Sequence, residues 1–492
     1  MNYISTRGNG GKVSAARAIQ QGLASDGGLF VPEALPTLSA ADLDDLRKRP
    51  YPERAARVLS LFLTDYTEEE LLADCRAAYS DNAFVGGTAP LVSVGGPLEV
   101  LELWHGPTAA FKDMALQIMP RLLSRALVKT GEKRTALILV ATSGDTGKAA
   151  LEGYRDIPQI KMMVFYPVDG VSRVQKLQMA TQQGENLTVC AIRGNFDDAQ
   201  NGVKAIFGDR EIAAELDRKG YFLSSANSIN WGRLAPQIVY YVSAYCDLLN
   251  AGKLRMGDRF NVCVPTGNFG NIFAAYLAKR MGLPVGRLIC ASNANNILTD
   301  FLETGVYDRN RPFHLTMSPS MDILISSNLE RLLWFVAGPE QTAAYMKQLR
   351  ETGRYEVGRD VLAAIQSDFV GYYADEPLTA ATIRETLAES GYLADPHTAV
   401  ALAAAKRFLK ESGETAPLVV DSTASPYKFA NNVYRAITGK EPAGDLEALD
   451  QLAAETGTEI PYPLSGLGQR KVRFSTVIDR EEMPAQVLGF AD

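Results

Sequence analysis

One local plan recurs along this chain: a continuous apolar run, a short loop rich in Gly, Ser or Asn, then a helix-forming stretch. "TALILVATSGDTGKAALEGY" is the clearest copy. Its segment Ala136 to Ala141 is apolar throughout, as suits a strand covered on both faces. The plan returns in "FNVCVPTGNFGNIFAAYLAKRMG", Phe260 to Gly282, and in "PLVVDSTASPYKFANNVYRAITG", Pro417 to Gly439. Shorter strand candidates are "KMMVFYP" (Lys161 to Pro167) and "RLICAS" (Arg287 to Ser292). Strands alternating with helices restrict the chain to an α/β fold with mostly parallel sheets. Ligands of such sheets bind beyond the carboxyl ends of the strands, where these loops lie.

The first 90 residues follow a different pattern. "SAADLDDLRKRPYPERAARVLSLFL" and "TEEELLADCRAAYS" read as amphipathic helices opened by Ser39 and Thr67 caps. A mainly helical N-terminal subdomain over 1–90 is expected. "PAGDLEALDQLAAETG" reads as a further surface helix, and no element is assigned to the tail from Gly468 to Asp492. At 492 residues, 46% hydrophobic and 22% charged, the chain can bury a large core in two to four domains. A net charge of −7 gives no sign of a nucleic-acid or anionic-membrane surface, yet leaves room for a locally basic pocket. The five cysteines show no CxxC pair, and the three histidines cluster with none of them, so neither a metal site nor a disulfide framework is expected. With no signal-like or membrane-length apolar segment, a cytoplasmic protein is expected.

Three loops carry candidate chemistry. "PTGNFGN", Pro265 to Asn271, joins a strand to a helix, and its glycines let successive N–H groups converge at the helix start. It fits a phosphate cradle or an ordinary βα turn. "ATSGDTGKAA" is not a Walker loop, because Thr142 stands where that loop needs glycine and Ala149 where it needs Ser or Thr. Its hydroxyls and amides could instead hold a carboxylate. "DSTASPYKF", Asp421 to Phe429, offers a hydroxyl for a ring nitrogen, or a helix cap. The sharpest residue is Lys112 in "HGPTAAFKDMALQ". A lysine desolvated at a helix start has a depressed pKa and a nucleophilic amine, whereas on the surface it would simply pair with Asp113. The Gly-Pro loop before it, the apolar helix after it and a separate phosphate-type loop favour the reactive reading. A lysine aldimine together with a phosphate cradle is what pyridoxal phosphate requires.

Taken together, "YISTRG", "GLASDGGLFVPEALP", "HGPTAAFKD", "ATSGDTGKAA", "NSINWGRLAPQIVYY", "PTGNFGN" and "STASPYKF" resemble, in this order, the threonine synthases of the tryptophan-synthase-β class (fold type II) of pyridoxal-phosphate enzymes. The resemblance implies two α/β domains with the cofactor between them. The large domain would comprise 91–130 and 255–492, and the smaller one 131–254. Lys112 would carry pyridoxal 5'-phosphate, Gly267, Asn268, Phe269, Gly270 and Asn271 would hold its phosphate, and Thr423 would face the pyridine nitrogen. Ser143, Gly144, Asp145 and Thr146 correspond to the loop that grips the substrate carboxylate. Many relatives have Asn in place of Asp145, and a carboxylate there repels an anionic substrate unless it is paired or protonated. Asn227, Ser228, Asn230 and Arg233 suit a substrate oxyanion, with Arg7 and Lys148 as competing cations.

The reaction so implied converts O-phospho-L-homoserine and water to L-threonine and phosphate, by γ-elimination and then addition of water at Cβ. Lys112, released from its aldimine, would move the protons. Rival readings are a phospho-lyase acting on the same substrate, a threonine dehydratase and a non-catalytic binder of a phosphorylated metabolite. A monomer or homodimer is expected.

Overall fold

The computed structural model describes every residue except Ser143 and Gly170. Two sheets organise it. The larger has six strands in the order Phe369–Tyr373, Val285–Ser292, Phe260–Pro265, Leu418–Ser422, Leu98–Glu102 and Leu91–Gly95. Its neighbours run parallel except the last pair, a hairpin. The smaller has five parallel strands in the order Val477–Ile478, Leu187–Ile192, Ile160–Pro167, Thr135–Ala141 and Tyr221–Ser224. The uninterrupted apolar runs are its central strands, and Leu137 and Ile138 are fully buried. That is the burial expected of parallel strands with helices on both faces. The loops after Ala141, Pro265 and Ser422 all leave carboxyl ends of strands.

Near the N-terminus the structure separates what periodicity alone joins. The stretch opened by Ser39 is two helices, Ala40–Leu46 and Tyr51–Ser60. Pro50 lies between them in extended conformation, and a proline disfavours helix in the residue before it. Ser39 and Thr67 each complete a capping box, with Asp42 and Glu70. The predicted helix near the end is Glu447–Thr456, which buries Ala448, Leu449 and Leu452.

The tail departs from a division that keeps 255–492 in one domain. Val477–Ile478 pairs with Leu187–Ile192 of the smaller sheet. Ile478, Met483 and Val487 then fill that sheet's core beside Leu137, Leu139 and Met163. Burial of these apolar side chains, each about 1.5–3 kcal/mol, draws the chain back across. The helix Trp231–Asn250 likewise packs on Tyr51–Ser60 and Gly270–Arg280, and is buried along nearly its whole length. Among the described residues no helix is long and apolar enough to cross a membrane. All five cysteines are buried and unpaired.

Candidate active site

Lys112 does not open a long helix. It precedes the four-residue helix Asp113–Leu116, and a second helix, Met119–Lys129, follows. So short a helix has little dipole to lend, and the amine is tuned by other groups. Burial pushes the Lys112 ammonium down to about 8. Lys428 and Arg233 act in the same direction, and Asp145 opposes them. Asp113 does not pair with Lys112. Its carboxylate turns back to accept from the Thr108 N–H (2.8 Å) and hydroxyl (2.7 Å). It packs so closely on Gly106 that a Cβ there would lie 2.6 Å from its side chain. Ala109 sits in the left-handed region at φ 57°, a strained conformation for a residue with a Cβ.

Thr423 reaches this loop through backbone pairing. The Phe111 N–H donates to the Thr423 carbonyl (2.8 Å), and the Ser425 N–H donates to the Ala109 carbonyl (3.0 Å). Sequence positions more than 300 apart are thus zipped together at the mouth of the larger sheet.

In the "GNFGN" loop the left-handed residue is Phe269, at φ 63°, and neither glycine has positive φ. This corrects the expectation that the glycines provide the curl; they provide close approach. A Cβ on Gly267 would sit 2.6 Å from the Ser320 carbonyl oxygen, and one on Gly270 would sit 3.3 Å from Asn328 Nδ2. Asn328 clamps the loop, since its N–H and its Nδ2 both donate to the Asn268 carbonyl at 3.0 Å. Among the described residues, no N–H from Gly267 to Asn271 donates to a backbone carbonyl. These free amides lie at the start of the eleven-residue helix Gly270–Arg280, which suits an anion.

Ser320, which no sequence signal singles out, joins the two centres. Its hydroxyl accepts from Lys112 Nζ (3.4 Å), its carbonyl packs on Gly267, and its N–H donates to His397 Nε2 (3.1 Å). His397 Nδ1 in turn meets Asp395 Oδ1 at 2.7 Å. Nε2 must accept, so Nδ1 carries the ring proton and donates it to the carboxylate.

Of the carboxylate-gripping loop, Ser143 lies outside the described residues. Gly144, with φ 147°, precedes the helix Asp145–Tyr154, which includes Thr146. Asp145 is buried between two lysines. Oδ1 takes Lys428 Nζ (2.9 Å) and Gln175 Nε2 (2.9 Å), and Oδ2 faces Lys112 Nζ at 4.0 Å. Burial works against this charge, but Lys428, Lys112 and the hydrogen bonds outweigh it and hold the carboxyl well below its ordinary range. Lys428 is completely buried. The signal that could have revealed it is a lysine inside the otherwise small and apolar "SPYKFA" after a strand.

Arg233 is buried with its Nη1 donating to the Ala226 carbonyl (2.8 Å), and its Nε has no partner among the described residues. Its competitors are engaged elsewhere. Arg7 makes a two-point ion pair with Glu330, both contacts 2.9 Å. Lys148 pairs with Glu152 (3.1 Å) and Gln182. Asn230 caps the helix Trp231–Asn250, with Oδ1 accepting from Gly232 (2.8 Å) and Nδ2 donating to the Ile19 carbonyl (2.8 Å). Asn227 is exposed, its Oδ1 taken by Ser228 and the Ile229 N–H, both at 3.3 Å.

Beneath the phosphate-type loop, the Asn271 side chain is tied to Tyr240, Tyr241 and Asp421. The Tyr241 hydroxyl lies 2.6 Å from Asn271 Oδ1 and 2.7 Å from Asp421 Oδ2. One phenolic proton cannot serve both acceptors, so a protonated Asp421 satisfies the network. Burial accordingly pushes Asp421 up to about 7, against the hydrogen bonds from Tyr241 and Asn271. The folded chain then keeps a proton that the unfolded chain releases, so this contribution to stability is full below about pH 4 and is lost as pH rises towards 7. We expect the Tm difference between wild type and Asp421→Asn to shift against the wild type across that interval. A pH-independent difference would show that Asp421 titrates as an ordinary carboxyl.

Three family models match consecutive parts of the chain. They are described as Threonine synthase N terminus (2–79), Pyridoxal-phosphate dependent enzyme (93–420) and Threonine synthase, C-terminal (398–487). Threonine synthase of Pseudomonas aeruginosa is 41% identical over 449 residues, covering 90% of this chain and 92% of its own. Threonine synthase-like 1 of Homo sapiens is 42% identical over 445 residues and 87% of this chain, which spans 59% of that relative's length. The crystal structure of PLP-bound threonine synthase from Brucella melitensis superposes with a TM-score of 0.89 at 39% identity, over 100% of this chain and 99% of that one. With motifs, fold and near full-length similarity in agreement, the chain belongs to the threonine synthase family of fold type II pyridoxal-phosphate-dependent enzymes.

Proposed function

We propose that the protein converts O-phospho-L-homoserine and water to L-threonine and phosphate with pyridoxal 5'-phosphate as cofactor. The observation that carries this reading is the shared neighbourhood of three groups: the Lys112 amine, the free amides from Gly267 to Asn271 that adjoin it through Ser320, and the Arg233 guanidinium, whose charge acts on Lys112 and has no carboxylate partner. The cofactor fits the loop on two counts, the unpartnered amides at a helix start and the close approach that Gly267 permits. Lys112 would bind its aldehyde, Gly267 to Asn271 its phosphate, and Thr423 its ring nitrogen. When bound, the cofactor spreads negative charge that develops on the substrate carbons.

The chain's own residues do the rest. With a pKa near 8, the Lys112 amine is poised to take up and return protons at neutral pH. Gly144 and Thr146 offer a helix start to the substrate carboxylate, and the Asp145 charge is cancelled locally by Lys428. Thr423 presents a neutral hydroxyl, which does not force protonation of the ring nitrogen as a carboxylate would. Arg233 supplies the cation for the substrate phosphate, with Asn227 and Ser228 at the same loop. Asp145, from the loop after a strand of the smaller sheet, and Lys428, from the loop after one of the larger, both border the site.

Incubation with O-phosphohomoserine, followed by product identification, tests the reading. Threonine and phosphate are expected in equal amounts. A 2-oxo acid with phosphate would instead make the protein a phospho-lyase. Arg233→Ala should lower kcat/KM for the phosphorylated substrate by roughly tenfold to a hundredfold, the worth of a charge-assisted hydrogen bond. Cofactor occupancy should hold. Wild-type kcat/KM in that variant, with loss in Lys148→Ala or Arg7→Ala, would move the phosphate site elsewhere.

A further inference from the structure

The buried ion pair of Lys428 and Asp145 has a geometry that a purely structural bridge does not need. Lys428 comes from the loop after Leu418–Ser422 in the larger sheet, and Asp145 opens the helix after Thr135–Ala141 in the smaller one. Lys428 Nζ is held by the Thr108 carbonyl (2.9 Å) and by Gln178 Oε1 (3.4 Å) as well as by Asp145. Asp145 Oδ1 is saturated by Lys428 and Gln175, which leaves Oδ2 turned toward the Lys112 amine. Burying two opposite charges is costly, and an apolar pair of similar volume would join the two elements at least as well. What an apolar pair could not supply is a fixed negative charge 4.0 Å from Lys112.

We propose that Lys428 and Asp145 are positioning residues for Lys112: Lys428 keeps the Asp145 carboxylate ionised and oriented, and that carboxylate sets the charge and direction of the Lys112 amine. The proposal rests on the reading of Lys112 as the reactive lysine. It also gives Asp145 a place beside an anionic substrate, because Asp145 and Lys428 together carry no net charge. The charged groups facing Lys112 are Asp145, Lys428, Arg233 and Asp113. Removing Asp145 leaves two cations and the folded-back Asp113, so the amine should lose its proton more easily. Removing Lys428 frees Asp145 to serve Lys112 alone, so the amine should hold its proton more tightly. Changes of opposite sign at the two ends of one pair are not expected of a bridge that only maintains the fold.

The test is the pKa of Lys112 itself, read from the pH dependence of its acylation by acetic anhydride in the full chain without cofactor, with the labelled peptide quantified by mass spectrometry. A parallel pH titration of the bound cofactor's absorbance is run on the loaded protein. Asp145→Asn should lower the labelling midpoint of Lys112 by at least about one pH unit, the usual effect of losing an opposite charge at this distance. Lys428→Met should raise it, and Asp145→Asn combined with Lys428→Met should fall between. An unchanged or raised midpoint in Asp145→Asn overturns the proposal. Should Lys428→Met fail to fold, Asp145→Asn and the double variant still decide, since the second removes both charges as a unit. Cofactor still fixed to the Lys112→Ala chain by borohydride would overturn the functional reading instead, and the labelling midpoints would still report on the pair.

Discussion

Lys112→Ala should abolish the borohydride-reducible covalent attachment of the cofactor to the chain and reduce turnover by at least roughly 10²–10⁴-fold, the range for a positioned acid–base group. The fold should persist. The Lys112 side chain ends among Ser320, Asp145 and the face of Phe111, with 11% of its surface exposed, so its removal opens little apolar space. The other lysines nearest the site have fixed duties. Lys428 is locked to Asp145 and Thr108, and Lys148 to Glu152 and Gln182. Neither can swing to the Lys112 position without abandoning the carboxylate it pairs with. Borohydride treatment followed by peptide mapping checks this, since the wild type should carry the reduced cofactor at Lys112. A variant chain that still carries the reduced cofactor, or a wild-type label on another lysine, would refute the assignment.

Gly267→Val should weaken cofactor retention by roughly tenfold to a hundredfold, whereas Gly270→Val should do clearly less. The two glycines differ in what a side chain would strike. At Gly267 a Cβ meets the Ser320 carbonyl oxygen at 2.6 Å, a backbone atom in a segment pinned by His397 and by the contact with Lys112. Forcing in the extra atoms costs about 1–3 kcal/mol or moves the loop, and either change spoils the convergence of its amides. At Gly270 the neighbour is the end of the Asn328 side chain at 3.3 Å, which can yield by a few tenths of an ångström. Equilibrium dialysis of the two variants measures the difference. Equal, wild-type affinities would mean that the anion lies away from this loop.

The strands, the loops at their carboxyl ends and a nearly buried lysine on one of them were legible in the sequence. Those signals are local: an apolar run of six residues, a glycine-bearing turn and a lysine among apolar neighbours are all legible within twenty positions. The motifs that named the family are equally local. Some local inferences still failed. Phe269, a residue with a full side chain, takes the left-handed conformation that a reading by residue type gives to glycine, because Asn328 and Gly267 hold the turn around it. Pro50 divided a helix that periodicity runs together.

Tertiary structure decided which charges are free and which are spent. Arg7, Lys148 and Arg233 are equally cationic in the sequence. Glu330, 323 positions away, neutralises Arg7; Glu152 neutralises Lys148; Arg233 is left in a buried site without a carboxylate. Ser320 reaches Lys112 across 208 positions, and Lys428 meets Asp145 from the opposite sheet. The tail crosses back to the smaller sheet because its apolar side chains fit there. A side chain's charge state depends on burial and on the nearest partners in space, and those partners arrive from other elements, so no window along the chain contains them.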